Sequence, residues 1–382
     1  MIYIGNNEYP IYLGDSEIPA IYCGEELIYP VNLGTLTGIT IEDLVWKTDV
    51  PASGGTATEE NCTYKVVGHY DSGKNRTVTN DAVVTGSLVV SATTAETREM
   101  VGVLQLTATY EGFTATGSVD VYQEAVAVDY LSMPLTFEIL TAGNIVWKAS
   151  NTSIARSIKY SLDNGTTWTT INATTAGVSI PVSAGSIIQF KGTNSAYGNS
   201  SYFNSFNAST ASFNVYGNIM SLINETNFKN LTSFSGTYNF YSLFRETKMV
   251  DAENLILPAT TLTNSCYRNM IAFCTSLTTA PELPATTLDS SCYQNMFYGC
   301  TELEIAPVLA AKTLVSNCYQ GLFYGCTNLN YIKCLATTIT GTNQWVQNVQ
   351  TNSGTFVKAP GVSWVTGNNG IPTNWTVIES TT

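Results

Sequence analysis

Apolar and polar positions along this chain follow three different periods, and each period predicts a different kind of element. At the N-terminus Ile2-Tyr3-Ile4-Gly5, Ile11-Tyr12-Leu13-Gly14 and Ile21-Tyr22-Cys23-Gly24 share the form I-Y-x-G, at spacings of 9 and 10 residues. Each apolar triplet ends in Gly and a polar turn, then resumes at Tyr9, Ile18 or Leu27. That rhythm predicts short strands joined by tight turns. So short a segment cannot build a good core alone. Residues 1–34 are therefore expected to dock on a partner or to oligomerise, with Ile2, Tyr3, Ile11, Tyr12, Ile21, Tyr22 and Tyr29 as the contact residues.

A period of two takes over in residues 35–126. Thr63-Tyr64-Lys65-Val66-Val67, Ser87-Leu88-Val89-Val90, the run from Val103 to Tyr110 and the run from Gly117 to Tyr122 alternate between turn clusters such as Ser53-Gly54-Gly55. The pattern predicts an immunoglobulin-like β-sandwich. Residues 127–216 are β-rich as well and are expected to form a second sandwich-like domain. They contain Ser161-Leu162-Asp163-Asn164-Gly165-Thr166-Thr167-Trp168, which fits the Asp-box form S-x-D-x-G-x-T-W. Its mechanics are local: Asp163 caps amides of the turn, Gly165 supplies a positive φ, Trp168 packs under the hairpin and Ser161 opens the motif. Sialidases carry such boxes away from their catalytic centre. A single box without an Arg triad or a Tyr/Glu nucleophile pair predicts a structural turn.

In residues 217–382 the period is 26. Cys266, Cys292 and Cys318 keep that spacing, as do Tyr267, Tyr293 and Tyr319, and Cys274, Cys300 and Cys326. A fixed period of this size predicts a solenoid, whose units bury their apolar faces on one another. Within a unit, Ser291 to Tyr298 is expected to be a short helix, N-capped by Ser290 or Ser291 and ended by Gly299. Cys292 and Met296, and Tyr293 and Phe297, lie at i, i+4 and would share its apolar face. The residues around Leu303, Ile305 and Val308 are expected to be extended. Trp345, Phe356, Trp364 and Trp375 are expected to form a C-terminal cap. The fold class is thus multidomain and mainly β, ending in an α/β leucine-rich-repeat solenoid.

Composition narrows the function. Only 12% of residues are charged, against about 25% in ordinary soluble domains, so the polar surface is built from Thr, Ser, Asn and Gly. The net charge of −13, without any Lys/Arg cluster, argues against nucleic acid and against anionic membranes. No stretch reaches the roughly 18 apolar residues of a membrane span. The first residues show neither a basic n-region nor an apolar h-region, so standard export is not expected. Nine cysteines include no CxxC pair, and the repeat cysteines are expected to be small buried side chains stacked in ladders. His69 is the chain's one histidine and is expected at a surface strand or turn. No catalytic, metal or cofactor-binding residue is expected.

The units N-M-F-Y-G-C-T-E-L and A-P-E-L-P-A-T-T-L resemble BspA-type leucine-rich repeats. These occur in surface proteins of gut anaerobes and in virion proteins of the phages that infect them. With the I-Y-x-G, Ig-like and Asp-box segments before them, the arrangement is similar to structural proteins of gut tailed phages, including crAss-like phages. The resemblance implies adhesion or virion decoration and no catalytic residue. The expectation is a non-enzymatic head fibre, tail fibre or capsid decoration protein, assembled in the host cytoplasm and carried on the virion. Its partners would be other virion proteins, further copies of itself (for example as a trimer) and a host-surface glycan or protein. The alternative is a bacterial cell-surface BspA-like adhesin. A glycan-processing enzyme would need paired carboxylates in one cleft, and Glu302 and Glu304, two residues apart, are the candidates.

Overall fold

The computed structural model describes residues 12–13, 16–17, 22–23, 26–27, 34–91, 98–124, 127–350 and 352–381. The chain is mainly β, in several separate sheets, and divides into two compact units, residues 1–128 and 129–382. The only helical pieces among the described residues are four short 3-10 segments.

In the first unit Tyr12–Leu13 pairs antiparallel with Ser16–Glu17, and Tyr22–Cys23 with Glu26–Leu27. Ile2, Tyr3, Ile11, Ile21 and Tyr29 lie outside the described residues, as do the side chains of Tyr12 and Tyr22. Next, Leu36–Trp46, Cys62–Tyr70 and Asn75–Thr77 make one antiparallel sheet. Phe113–Gln123, Glu99–Tyr110 and Val83–Thr85 make another, and Gly55–Thr58 pairs with Ser87–Val90. Alternate residues of a strand face opposite sides. Leu104, Leu106 and Ala108 accordingly fall in the core while Val103 and Gln105 face out. His69 is half-buried on its strand, its ring held between Asn75 Oδ1 at 2.8 Å and Thr40 Oγ1 at 2.9 Å.

The second unit opens with a sheet in the order Thr169–Asn172, Ser157–Ser161, Ile187–Lys191, Leu135–Ile139, Ser212–Asn218. Val178–Val182, Gly143–Ala149 and Asn204–Ser205 form a smaller sheet. Phe137, Phe190, Phe206 and Phe213 are buried together, with Trp147 against Phe206. Ser212–Asn218 then pairs in parallel with Lys248–Met249 and Leu255–Ile256 of the first repeat. The sheet therefore runs through the boundary at 216/217 that the sequence pattern sets, and one apolar core continues from Leu135 to Trp375. The physical reason is that the first unit of a stack has no earlier unit to cover it, and Ser212–Asn218 does so.

Successive repeats stack in register, with parallel bridges Thr261 to Thr287 and Ile305 to Tyr331. The expected helix at Ser291–Tyr298 is not there. Instead the segment is a ribbon of turns. The amides of Cys292, Gln294, Met296, Tyr298 and Cys300 donate to carbonyls three residues back, whereas those of Tyr293, Asn295, Phe297 and Gly299 donate to the next unit. Ser291, Asn295 and Gly299 have φ of 57°, 55° and 71°, and such left-handed residues cannot continue an α-helix. Every second amide thus finds its partner outside the segment. The ribbon's period of four buries Cys292, Tyr293, Met296, Phe297 and Cys300, so it mimics a helical apolar face.

Gly321 shows what the ribbon demands. Its φ is 59°, and a Cβ there would lie 2.2 Å from Asn295 Oδ1. Gly321→Ala is expected to lower stability by about 1–2 kcal/mol through left-handed strain alone, more if Asn295 cannot move. Urea unfolding of the two proteins checks this, and equal midpoints would contradict it.

The stack ends in a parallel sheet of Tyr331–Cys334, Thr355–Lys358 and Thr376–Glu379. Trp345 and Trp375 cover the last repeat with their indole N–H groups on the carbonyls of Gly370 and Gln350. Phe356 packs edge-on against Trp345 and Trp364.

Candidate binding surface

The repeat cysteines and tyrosines face inward. Cys266, Cys274, Cys292, Cys300, Cys318, Cys326 and Cys334 are fully buried free thiols. Cys274, Cys300 and Cys326 donate from Sγ to carbonyls of the preceding unit, at Phe244 (3.0 Å), Ile271 (3.3 Å) and Phe297 (3.1 Å). A thiol can donate only while protonated, and burial keeps these protonated. Desolvation pushes Cys274 to about 11 and Cys326 to about 12, and raises Cys300 well above an ordinary 9.0. Beside them, Phe240, Tyr267, Tyr293, Tyr319 and Trp345 stack in a row with ring centroids 5.7–6.2 Å apart. Burial raises all three tyrosines, and the Tyr267 hydroxyl has no hydrogen-bond partner.

The Asp-box residues lie together in one surface turn of the first sheet. Asp163 Oδ1 accepts from the Thr167 amide at 2.8 Å and from Ser161 Oγ at 2.7 Å, and Asp163 Oδ2 accepts from Thr167 Oγ1 at 2.6 Å. Gly165 has φ of 83° and donates its amide to Ser161 Oγ. Trp168 donates to the Gly165 carbonyl, and Lys191 Nζ sits 3.7 Å from its ring centre. The Thr167 and Ser161 donors hold the Asp163 carboxyl down at about 2, against an ordinary 3.8. A depressed carboxylate stabilises the folded turn above its unfolded pKa and loses that contribution as pH falls through the folded one. The Thr167 amide resonance is therefore expected to hold from pH 7 to about 3 and to move only towards pH 2. A midpoint near 4 would contradict this.

The stack's outer face carries an open groove of about 900 Å³ crossing three consecutive units. Glu253, Glu282, Glu302 and Glu304 line it, all exposed, with Ile305 and Val308 as its apolar part. Glu302 accepts from Asn328 Nδ2 at 3.4 Å. Among the described residues none of the four makes an ion pair, whereas Glu225, Glu246 and Glu379 each have a lysine or arginine. No Lys, Arg, His or aromatic residue lines the groove among those described. Sequence reasoning picked out Glu302 and Glu304 but missed Glu253 and Glu282. No periodic signal marked them, since one period of 26 from Glu282 falls on Val308 and one period before Glu304 falls on Thr278.

Among the described residues no group of three or more His, Cys, Asp or Glu side chains could hold a metal ion, and no helix is long and apolar enough to cross a membrane. No protein-family model, curated protein or solved structure matches the chain.

Proposed function

We propose that this chain is a non-enzymatic structural and adhesion protein of a tailed-phage virion: a head fibre, a tail fibre or a capsid decoration. On this reading residues 1–34 dock on other capsid or tail proteins and join copies into a homo-oligomer such as a trimer. Residues 35–126 are an immunoglobulin-like spacer and residues 127–216 a second β spacer. The stack is a BspA-like leucine-rich-repeat solenoid turned towards a glycan or protein of the host surface.

The observation that carries the reading is where the stack keeps its chemistry. Its thiols and the row of Tyr267, Tyr293 and Tyr319 are locked in the core, while its open groove presents unpaired carboxylates to solvent. Stacked repeats of this kind offer partners an extended surface. The buried, unpaired thiols also fit a protein that folds in a reducing cytoplasm and leaves with the particle. The second setting, a bacterial cell-surface BspA-like adhesin, would use the same face.

Size in solution and particle attachment test the docking role. The full chain is expected to scatter light as an oligomer, and deletion of residues 1–34 is expected to leave a monomer that no longer attaches to particles. A monomeric full chain whose truncated form still attaches would overturn it. Turnover on a panel of fluorogenic glycosides would overturn the non-enzymatic reading.

A further inference from the structure

We infer that the groove across residues 253–308 is a docking site for an extended, lysine- or arginine-bearing polypeptide segment on the partner's surface. The inference deepens the adhesion reading by naming the ligand class, and it rests on that reading.

Charge complementarity is the first argument. Glu253, Glu282, Glu302 and Glu304 come from three consecutive units, all exposed, and no cation from the chain answers them among the described residues. In a protein with net charge −13 their field adds to that of the whole chain, so a cationic segment is attracted and an anionic one repelled. The second argument is the groove's apolar part. Ile305 is 60% exposed and Val308 46% exposed, which suits the aliphatic stem of a lysine or a neighbouring apolar side chain. A sugar ring is commonly held against an aromatic face, and this groove has none among its described residues.

Geometry supplies the third. Successive units are joined by parallel bridges and backbone hydrogen bonds, which sets their rise at about 4.8 Å. Alternate side chains of an extended peptide are about 6.6 Å apart. The groove's lining spans three units, a distance of about 10 Å, which a segment of about four extended residues covers. Pro258, Pro284 and Pro307 line the same groove. They offer no amide donors, so recognition runs through side chains and not through strand addition.

The probe is a fluorescein-labelled seven-residue peptide with lysine at every second position, added to the full chain. It is expected to bind, and to weaken about fivefold or more between 0.05 and 0.5 M salt, because exposed charge pairs are screened. The double variant Glu282→Lys/Glu304→Lys is expected to bind about tenfold or more weakly. Both positions are exposed, so the fold should survive, and circular dichroism checks that. Glu99→Lys/Glu124→Lys makes the same change in net charge outside the groove and is expected to bind like the parent. Equal weakening by the two double variants, equal binding of a glutamate version of the peptide, or preference for an N-acetylglucosamine tetrasaccharide would each overturn the inference. If the groove variant still adheres to host cells as the parent does, the peptide site fails while the adhesion reading stands. If the parent itself adheres to none, the adhesion reading fails first.

Discussion

Between pH 9 and pH 11 the second unit is expected to unfold cooperatively, without any reductant or denaturant. Burial raises the thiols of Cys266, Cys326 and Cys334 to about 12, and those of Cys274 and Cys318 to about 11. In the unfolded chain they ionise near an ordinary 9.0. Above that pH the unfolded state binds fewer protons than the folded one, so stability falls as pH rises. The contribution is fully present below pH 9 and is lost as pH climbs through the folded values. At pH 11 each thiol held near 12 shifts the balance by about 2–3 kcal/mol towards unfolding. Three of them come to roughly 8 kcal/mol, within the 5–15 kcal/mol that holds a whole domain together. Tyr267, Tyr293 and Tyr319, also raised, push the same way. Circular dichroism during an alkaline titration checks this. A signal unchanged through pH 11.5 would contradict the buried ladder. So would native alkylation of the repeat thiols at pH 8.

Phe206→Ala is expected to cost about 3–5 kcal/mol, as large-to-small changes at fully buried aromatics do, and to unfold the sheets and the repeats together. Phe206 touches both sides of the boundary at 216/217. Its ring lies 4.9 Å from Phe190 and Trp147, 5.1 Å from Phe137, and stacks 6.0 Å from Phe244 of the first repeat. Truncating it opens a cavity where the two halves of the core meet. Chemical unfolding followed by near-ultraviolet and far-ultraviolet circular dichroism should show one coincident transition, shifted to lower denaturant. Two separated transitions, with only one of them shifted, would mean that the repeats stand as an independent domain.

The sequence pattern locates the strands and the repeat well, because alternation and a fixed spacing are properties of the chain itself. Leu104, Leu106 and Ala108 fall inward on a period of two, and Cys292, Tyr293 and Met296 fall inward once per repeat. The Asp box is equally legible, since the side chains of Ser161 and Asp163 bond to groups within the same turn. What misleads is a period that two structures share. Apolar residues at i, i+4 suit a helix, yet the ribbon of turns buries the same residues. The discriminating signal was polar: Ser291, Asn295 and Gly299, or Asn317, Gly321 and Gly325, place residues tolerant of left-handed φ every four positions. The shared core across 216/217 was not legible, because Phe206 and Phe244 meet through tertiary packing that no local period encodes. The groove was half legible for a similar reason. Its four glutamates are exposed and follow no periodic rule, and only the stacking of units brings them onto one face.

Electron cryo-microscopy of phage particles purified from cells that produce this chain tests the central claim most directly. The account predicts density for the chain on the particle surface, with residues 1–34 seated on capsid or tail and the groove of residues 253–308 facing solvent. Particles that lack the chain altogether, or a stack whose groove is buried against the particle, would contradict it.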